Sequence, residues 1–307
     1  MQIISTILPI FFVIFLGWAG RKKRFIPDGF IGPANQLVYY IAIPAMIFGA
    51  VAKASFYEAF NPVILAVTLF TIFMISALSW AMANALKIPT RTKGTFIQTT
   101  FHGNLEYVGL AVVFYSLGDS GLAAAGIFAG FIMIFQNILA VFVLEFHGTD
   151  RNQRDNILMT NAQRIIGHPV ILSAVSGIVF SIFKIPIPLI VERTLDILSG
   201  MALPLALLLI GASLSFKLIR TNLSSVLGAS LFKLILMPGL GLVLFQFFEI
   251  PQNEFRPVFI LLCSPTATLA YVMAREMNGN AEFAVAAISA CTMLSAITFT
   301  LWLHFLS

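Results

Sequence analysis

Long apolar segments separated by short polar stretches dominate this sequence. A transmembrane helix needs about 20 mainly apolar residues, and ten segments of the chain meet this requirement. Their approximate bounds are 2–20, 33–51, 62–86, 95–117, 121–146, 168–184, 191–215, 223–248, 255–277 and 281–306. The pattern predicts an all-α membrane protein with ten transmembrane helices.

Polar stretches interrupt two of these segments in the middle. Residues 101–109 (FHGNLEYVG) interrupt the fourth segment, and residues 263–268 (CSPTAT) interrupt the ninth. Backbone groups in hydrocarbon all need partners, so a helix breaks there only where protein or a water-filled cavity surrounds the break. Matched breaks in two halves of a chain are typical of a transporter's binding site. We therefore expect the two stretches to cross near the membrane midplane and to hold a substrate between them.

The longest polar stretch divides the chain into two halves of five segments. We predict a first five-helix repeat over 1–147, a cytoplasmic linker over 148–167 and a second repeat over 168–307. Pro44 precedes Ser55-Phe56 at the same spacing at which Pro204 precedes Ser215-Phe216. A turn is expected at Gly118-Asp119. Because each repeat contains an odd number of spans, the second repeat should be inverted relative to the first.

The basic residues predict the orientation of the chain. Thirteen of the 18 lysine and arginine residues lie in the loops that follow the odd-numbered segments. Four lie in the loops between them, and Lys233 lies inside the eighth segment. Basic loops stay in the cytoplasm. We therefore predict a multi-pass protein, of the bacterial inner membrane, with both termini outside the cytoplasm.

Composition supports a polytopic membrane protein whose surroundings are the lipid bilayer. Hydrophobic residues make up 59% of the chain and charged residues 10%, against about 45–50% and 25% in soluble domains. A net charge of +5 on so apolar a chain argues against nucleic-acid binding. Cys263 and Cys291 lie in apolar segments and are interpreted as buried thiols, with no disulfide or metal site. No enzymatic motif is recognisable.

The two breaks contain the main candidates for binding. The interrupted segments should run antiparallel, so that two half-helix N-termini face one another and favour an anion. The alternative is that Gly103 and Pro265 only kink two packed helices. The candidate substrate-binding residues at the breaks are Asn104, Tyr107, Ser264, Pro265, Thr266 and Thr268.

Glu106 is the least expected residue of the first break. A carboxylate at this depth is energetically unfavourable and by default marks an ion or proton pathway. Glu106 is therefore a candidate coupling site for a proton or cation, and the alternative is a fixed helix cap that lines a wet cavity. Neighbouring His102 is either a proton relay or a satisfied interior histidine.

Further candidates lie outside the breaks. Lys233 is roughly 15 Å into its segment at 1.5 Å per residue and could balance an anionic substrate or Glu106. The alternative is a lysine that snorkels to the interface. Gln136 and Asn137, in the fifth segment, could line the same cavity or serve as packing contacts between helices. We include Asn137 among the candidate substrate-binding residues.

Several motifs together resemble the auxin efflux carrier family, which includes plant PIN proteins and bacterial permeases for malonate, malate and similar acids. That family is similar in fold to the bile acid/sodium symporters. The resemblance covers nearly the whole chain. Its motifs are residues 8–12 (LPIFF), 40–45 (YIAIPA), 103–110 (GNLEYVGL), 201–207 (MALPLAL), 210–214 (IGASL), 265–267 (PTA) and 274–276 (ARE).

The resemblance implies a scaffold domain of the first, second, sixth and seventh spans. The remaining spans would form a transport domain that moves like an elevator. Family binding residues carry over to Asn104 and to the crossover around Pro265. The chain departs from the family at Glu106, where glycine is usual, and at Ala111, where proline is usual. An anion site therefore implies that Glu106 is neutral or bound to a cation.

Our functional hypothesis is a secondary carrier of a small organic anion, a mono- or dicarboxylate. No cofactor is expected, and coupling to H⁺ or to Na⁺ is left open. A homodimer through the scaffold domain is compatible with this arrangement. The alternative function is a non-transporting sensor or receptor that binds a small ligand on the same scaffold.

Overall fold

The computed structural model describes residues 2–148, 167–221 and 223–306. Within these ranges the regular secondary structure is helical and contains no strand, which confirms the all-α prediction. Almost all of the predicted linker lies outside the described residues. Among the described residues, six helical stretches are long and apolar enough to cross a membrane by length and composition. They are Gly29–Lys53, Pro62–Ala85, Leu105–His147, Leu189–Ala212, Leu223–Phe247 and Ala281–Phe305.

The first half of the chain contains seven α-helices and two π-helical turns. The α-helices are α1 (Gln2–Lys22), α2 (Asp28–Leu37), α3 (Ile43–Lys53), α4 (Phe56–Ala59), α5 (Pro62–Ala85), α6 (Thr90–Phe101) and α7 (Leu110–His147). The π-helical turns are Val38–Ala42, between α2 and α3, and Leu105–Gly109, before α7. Gly118 breaks α7 with a positive φ of 69°, so the predicted turn is present there.

The described part of the second half, residues 167–221 and 223–306, contains nine α-helices. They are α8 (Pro169–Phe183), α9 (Leu189–Ser199), α10 (Ala202–Ala212), α11 (Phe216–Thr221), α12 (Leu223–Leu231), α13 (Met237–Phe247), α14 (Gln252–Leu262), α15 (Leu269–Glu276) and α16 (Ala281–Phe305). A π-helical turn, Phe232–Leu236, joins α12 to α13. Helices therefore occupy all ten apolar segments of the sequence. The number of membrane crossings and the inverted repeat stay predictions.

Side-chain caps and prolines determine where several helices begin. Asn61 Oδ1 accepts the Val63 N–H at 2.9 Å before α5, and Asn280 Oδ1 accepts the Phe283 N–H at 3.0 Å before α16. Pro62 occupies the first position of α5, where its missing N–H has no consequence. These caps satisfy free N–H groups at helix ends.

Two helix pairs pack most extensively, α1 against α10 and α3 against α8, and we call these four helices the first group. Backbones approach very closely in the first pair, since a Cβ on Gly211 would lie 1.8 Å from the Ile14 carbonyl oxygen. Small residues permit such close helix contacts in membranes. A second group of helices contains α5, α6, α7, α13 and α14, and α7 also contacts α3 and α8. Many large apolar side chains are exposed, among them Phe12, Phe73 and Phe142, as expected for contact with lipid.

Candidate functional site

The two interrupted stretches cross each other in the structure. The Asn104 N–H donates to the Pro265 carbonyl at 2.7 Å, and the Ala267 N–H donates to the His102 carbonyl at 2.8 Å. Gly103 and Thr266 form an isolated antiparallel bridge. Each break therefore supplies hydrogen-bond partners that the other lost when its helix ended. We call residues 102–104 and 263–268 the crossover.

Gln136 of α7 fixes the first break. Its Nε2 donates to the Phe101 carbonyl at 3.0 Å, while its Oε1 accepts the Gly103 N–H at 3.2 Å. The side-chain amide of Gln136 thus pairs with the carbonyl of the last residue of α6 and with an N–H two residues further along the chain. Of the two roles considered for Gln136, the structure supports the packing contact.

Lys233 lies behind the crossover and does not line the cavity described below. Its side chain is fully buried, and its Nζ donates to the carbonyl of Leu262, the last residue of α14, at 3.0 Å. A Cβ on Gly103 would lie 3.3 Å from Nζ. A cation at a helix C-terminus is electrostatically favourable. The geometry therefore places the ammonium as a cap on a broken helix.

A cavity of about 460 Å³ adjoins the crossover. Six of the predicted residues line this cavity: His102, Asn104, Glu106, Tyr107, Asn137 and Thr268. Ser264, Pro265 and Thr266 are buried within the crossover and are not among the lining residues. The Thr266 hydroxyl donates to the Thr99 carbonyl at 2.8 Å, and the Ser264 hydroxyl donates to the Leu261 carbonyl at 2.6 Å. These hydroxyls stabilise backbone at the break.

Two asparagines give the cavity unused hydrogen-bonding capacity. Asn104 Oδ1 accepts the Tyr107 N–H at 3.3 Å, while its buried Nδ2 has no hydrogen-bond partner within the part of the chain that the structure describes. The same holds for the buried Oδ1 of Asn137. Buried polar groups are nearly always paired. One donor and one acceptor on residues that line the cavity are therefore unused within the described residues.

Glu106 meets a partner that the sequence analysis missed. Its carboxylate Oε1 lies 3.3 Å from His168 Nε2, although the direction of the contact falls outside hydrogen-bond geometry. The Glu106 side chain is 16% exposed and that of His168 is 5% exposed. The ring of Tyr39 packs edge-on against His168 with centroids 5.1 Å apart. His168 directly precedes α8, and no local sequence pattern links it to residue 106.

Asn35 and Tyr39 also line the cavity and were not predicted. The Tyr107 hydroxyl donates to Asn35 Oδ1 at 2.8 Å, which connects the crossover region to α2. A sequence signal for Asn35 existed, because it is a polar residue near the start of an apolar segment. His102 Nδ1 lies 3.4 Å from the side-chain Nε2 of Gln98. This contact suits a satisfied interior histidine.

The family model described as "Membrane transport protein" matches residues 2–303 of the chain. The chain belongs to this family. The match confirms the resemblance to the auxin efflux carriers and establishes an integral membrane protein. The names of the family and of its members indicate a transporter and not an enzyme.

Three similar proteins match almost end to end. A Rhizobium meliloti protein with the name "Putative malonate transporter" is 27% identical over 308 aligned positions, and the alignment covers 97% of this chain and 94% of that protein. An uncharacterized transporter of Methanocaldococcus jannaschii is 24% identical, with 97% of each chain covered. Another, of Methanothermobacter thermautotrophicus, is 22% identical over 97% of this chain and 96% of its own.

Proposed function

We propose that the protein is a secondary carrier that moves a small organic anion, a mono- or dicarboxylate, by elevator-type alternating access. The observation that carries this proposal is the crossover beside a cavity with an unused donor on Asn104 and an unused acceptor on Asn137. A volume of about 460 Å³ falls within the usual range of small-molecule sites. The relative with the name "Putative malonate transporter" supports a small carboxylate as substrate.

In this proposal the ten helical segments form two inverted repeats. Helices α1–α3 and α8–α10 are the scaffold, through which two copies would form a homodimer, and α5–α7 with α12–α16 are the transport domain. Small residues between α7 and the scaffold support relative movement. A Cβ on Gly126 would lie 3.1 Å from Val51 of α3, and one on Gly130 would lie 3.4 Å from Ala174 of α8.

The cavity is proposed to open toward the cytoplasm. Several lining residues lie at segment ends that adjoin the basic loops, among them Arg21, His168, Ser213 and Tyr271. Basic loops are retained in the cytoplasm, so both termini would lie outside, in a bacterial inner membrane. The structure would then correspond to the inward-facing state of the carrier. No cofactor is assigned.

Uptake by proteoliposomes that contain the purified protein tests this function. We expect saturable uptake of radiolabelled malonate, with competition from mono- and dicarboxylates and none from cationic amines. Protein-free liposomes are the control. Binding of malonate in a thermal-shift assay without any flux would contradict a carrier and favour a sensor. Absence of both binding and flux for a panel of such acids would contradict an organic-anion site.

A further inference from the structure

Glu106 and His168 belong to different groups of helices. His168 directly precedes α8, which packs along α3. Glu106 lies in the π-helical turn between the crossover and α7. Both side chains line the cavity. Glu106 Oε1 lies 3.3 Å from His168 Nε2, and this contact connects the two groups. Movement of the crossover relative to α8, as the proposed function requires, has to separate this pair.

His168 is buried without making fixed hydrogen bonds. Neither ring nitrogen has a hydrogen-bond partner among the described residues, although Nε2 is close to the carboxylate. A buried polar ring normally has a partner. Both nitrogens of His168 are therefore available to exchange a proton with Glu106 or with water in the cavity.

Other titratable groups surround the pair. Arg21, Tyr39, His102, Tyr107 and Tyr271 line the same cavity. The Arg21 guanidinium donates to the Ala212 carbonyl at 3.0 Å, the Tyr107 hydroxyl donates to Asn35, and His102 lies against Gln98. The Tyr39 ring packs on His168, and Lys233 lies behind the crossover. Among the described lining residues, Glu106 is the one carboxylate.

We propose that Glu106 and His168 together form a proton-binding site that spans the two helix groups. The site accepts a proton from water in the cavity. With one proton, the carboxylate and the imidazole share that proton, and the resulting attraction holds the crossover against α8. A second proton on the Glu106 carboxylate removes the attraction, and Glu106 then moves across the membrane as a neutral acid together with the anion.

Electrostatics makes the second proton necessary for movement. An ionised carboxylate that leaves its imidazolium would be carried into a medium of low dielectric without a counter-charge. A carboxyl group that carries its own proton avoids this cost. Na⁺ is a poorer occupant, because a hard cation needs several oxygen ligands, whereas one side of the carboxylate faces imidazole nitrogen.

The inference rests on the proposed function for its role in transport, but the site itself can be tested without transport. An infrared pH titration of purified, substrate-free protein follows the band of a protonated carboxyl group. We expect a band that Glu106→Gln removes. In His168→Gln the Glu106 carboxyl group should become protonated at a proton concentration at least about tenfold lower than in the unmodified protein. The variant lacks the imidazolium that favours the ionised carboxylate.

His147→Gln is the matched control. His147 is buried at the end of α7, its Nδ1 lies 3.0 Å from the Val143 carbonyl, and it does not line the cavity. The carboxyl band of His147→Gln should titrate at the same pH as that of the unmodified protein. A His168→Gln titration equal to that of the His147→Gln control would overturn the pair, and so would a carboxyl band that survives Glu106→Gln.

Proteoliposomes then test the coupling. Malonate uptake should be accompanied by proton uptake and should be stimulated by a pH gradient, and Glu106→Gln should lose this stimulation. Uptake that depends on Na⁺ and moves no proton would overturn the inference while leaving the carrier function intact. If no acid is taken up, the proposed function fails, and the infrared titration still decides whether the pair binds a proton.

Discussion

At the level of single residues, the chemistry of the cavity depends on a few buried polar atoms whose hydrogen-bonding capacity is unused inside the protein. Asn104 uses its Oδ1 as a cap for the Tyr107 N–H and leaves its Nδ2 unpaired. Asn137 leaves its Oδ1 unpaired within the described ranges. A carboxylate or its protonated form can use both atoms, because it offers acceptors and, when protonated, one donor.

Asn104→Asp tests the donor at this position. The substituted side chain still offers an acceptor to the Tyr107 N–H, so the local fold should persist. The Nδ2 donor is lost and a negative charge is added, so the affinity for malonate should fall at least about tenfold. Isothermal titration calorimetry measures this directly.

Asn280→Asp is the control for that substitution. Asn280 Oδ1 caps α16 through the Phe283 N–H, with the same spacing in sequence, and does not line the cavity. This variant should bind malonate with unchanged affinity. Equal losses in the two variants would mean that the effect comes from weakened caps and not from contact with the ligand.

At the level of helices, α1 and α10 approach each other more closely than α7 approaches α3 and α8. Gly17 and Gly211 allow backbone contact between α1 and α10, where an added Cβ would lie 2.0 Å or less from a carbonyl oxygen. The contacts of Gly126 and Gly130 with α3 and α8 are looser. The first kind of packing suits a rigid unit, and the second suits an interface that slides.

Gly211→Ala tests the rigid packing. The added methyl group would have to push α1 and α10 apart, and overpacking of this kind typically destabilises a protein by about 1–3 kcal/mol. We expect a lower thermal unfolding temperature in detergent. Gly49→Ala in α3 is the matched control, because no atom lies within 4 Å of its added Cβ and alanine favours helix. Unfolding of both variants at the same temperature would contradict close packing at Gly211.

At the level of the whole molecule, the side of the membrane that the cavity faces follows from the topology predicted by the basic residues. Lining residues from distant segments, including Arg21, His168 and Ser213, meet at the cavity. Each adjoins a loop that the basic residues predict to be cytoplasmic. If these loops are cytoplasmic, the cavity faces the cytoplasm, and this orientation stays a prediction.

Ser213→Cys tests that orientation. Ser213 is exposed and lines the cavity, whereas Cys263 and Cys291 are buried and should react slowly. A membrane-impermeant maleimide should label the variant in inside-out vesicles only, and malonate should slow the labelling. Asn253→Cys, exposed at the start of α14, should be labelled only in right-side-out vesicles. The reverse pattern would invert the topology.

The sequence by itself determined the all-helical membrane architecture, the positions of both breaks and the turn at Gly118. These features depend on the length of apolar runs and on local backbone preferences, which neighbouring residues specify. The same reasoning could not assign faces to polar side chains inside a break, because helical periodicity stops there. Asn104 and Thr268 line the cavity, whereas the Ser264 and Thr266 hydroxyls satisfy carbonyls of the adjoining helices α14 and α6.

Contacts between distant segments were decided only by the tertiary structure. Lys233 resembled a counter-charge for a ligand, but packing places its ammonium on the carbonyl of Leu262. His168 lay beside a polar linker and gave no sign of a role, yet α8 brings its ring to the Glu106 carboxylate. Such pairs arise from how helices pack side by side, and no period within one helix encodes which residue a neighbouring helix will present.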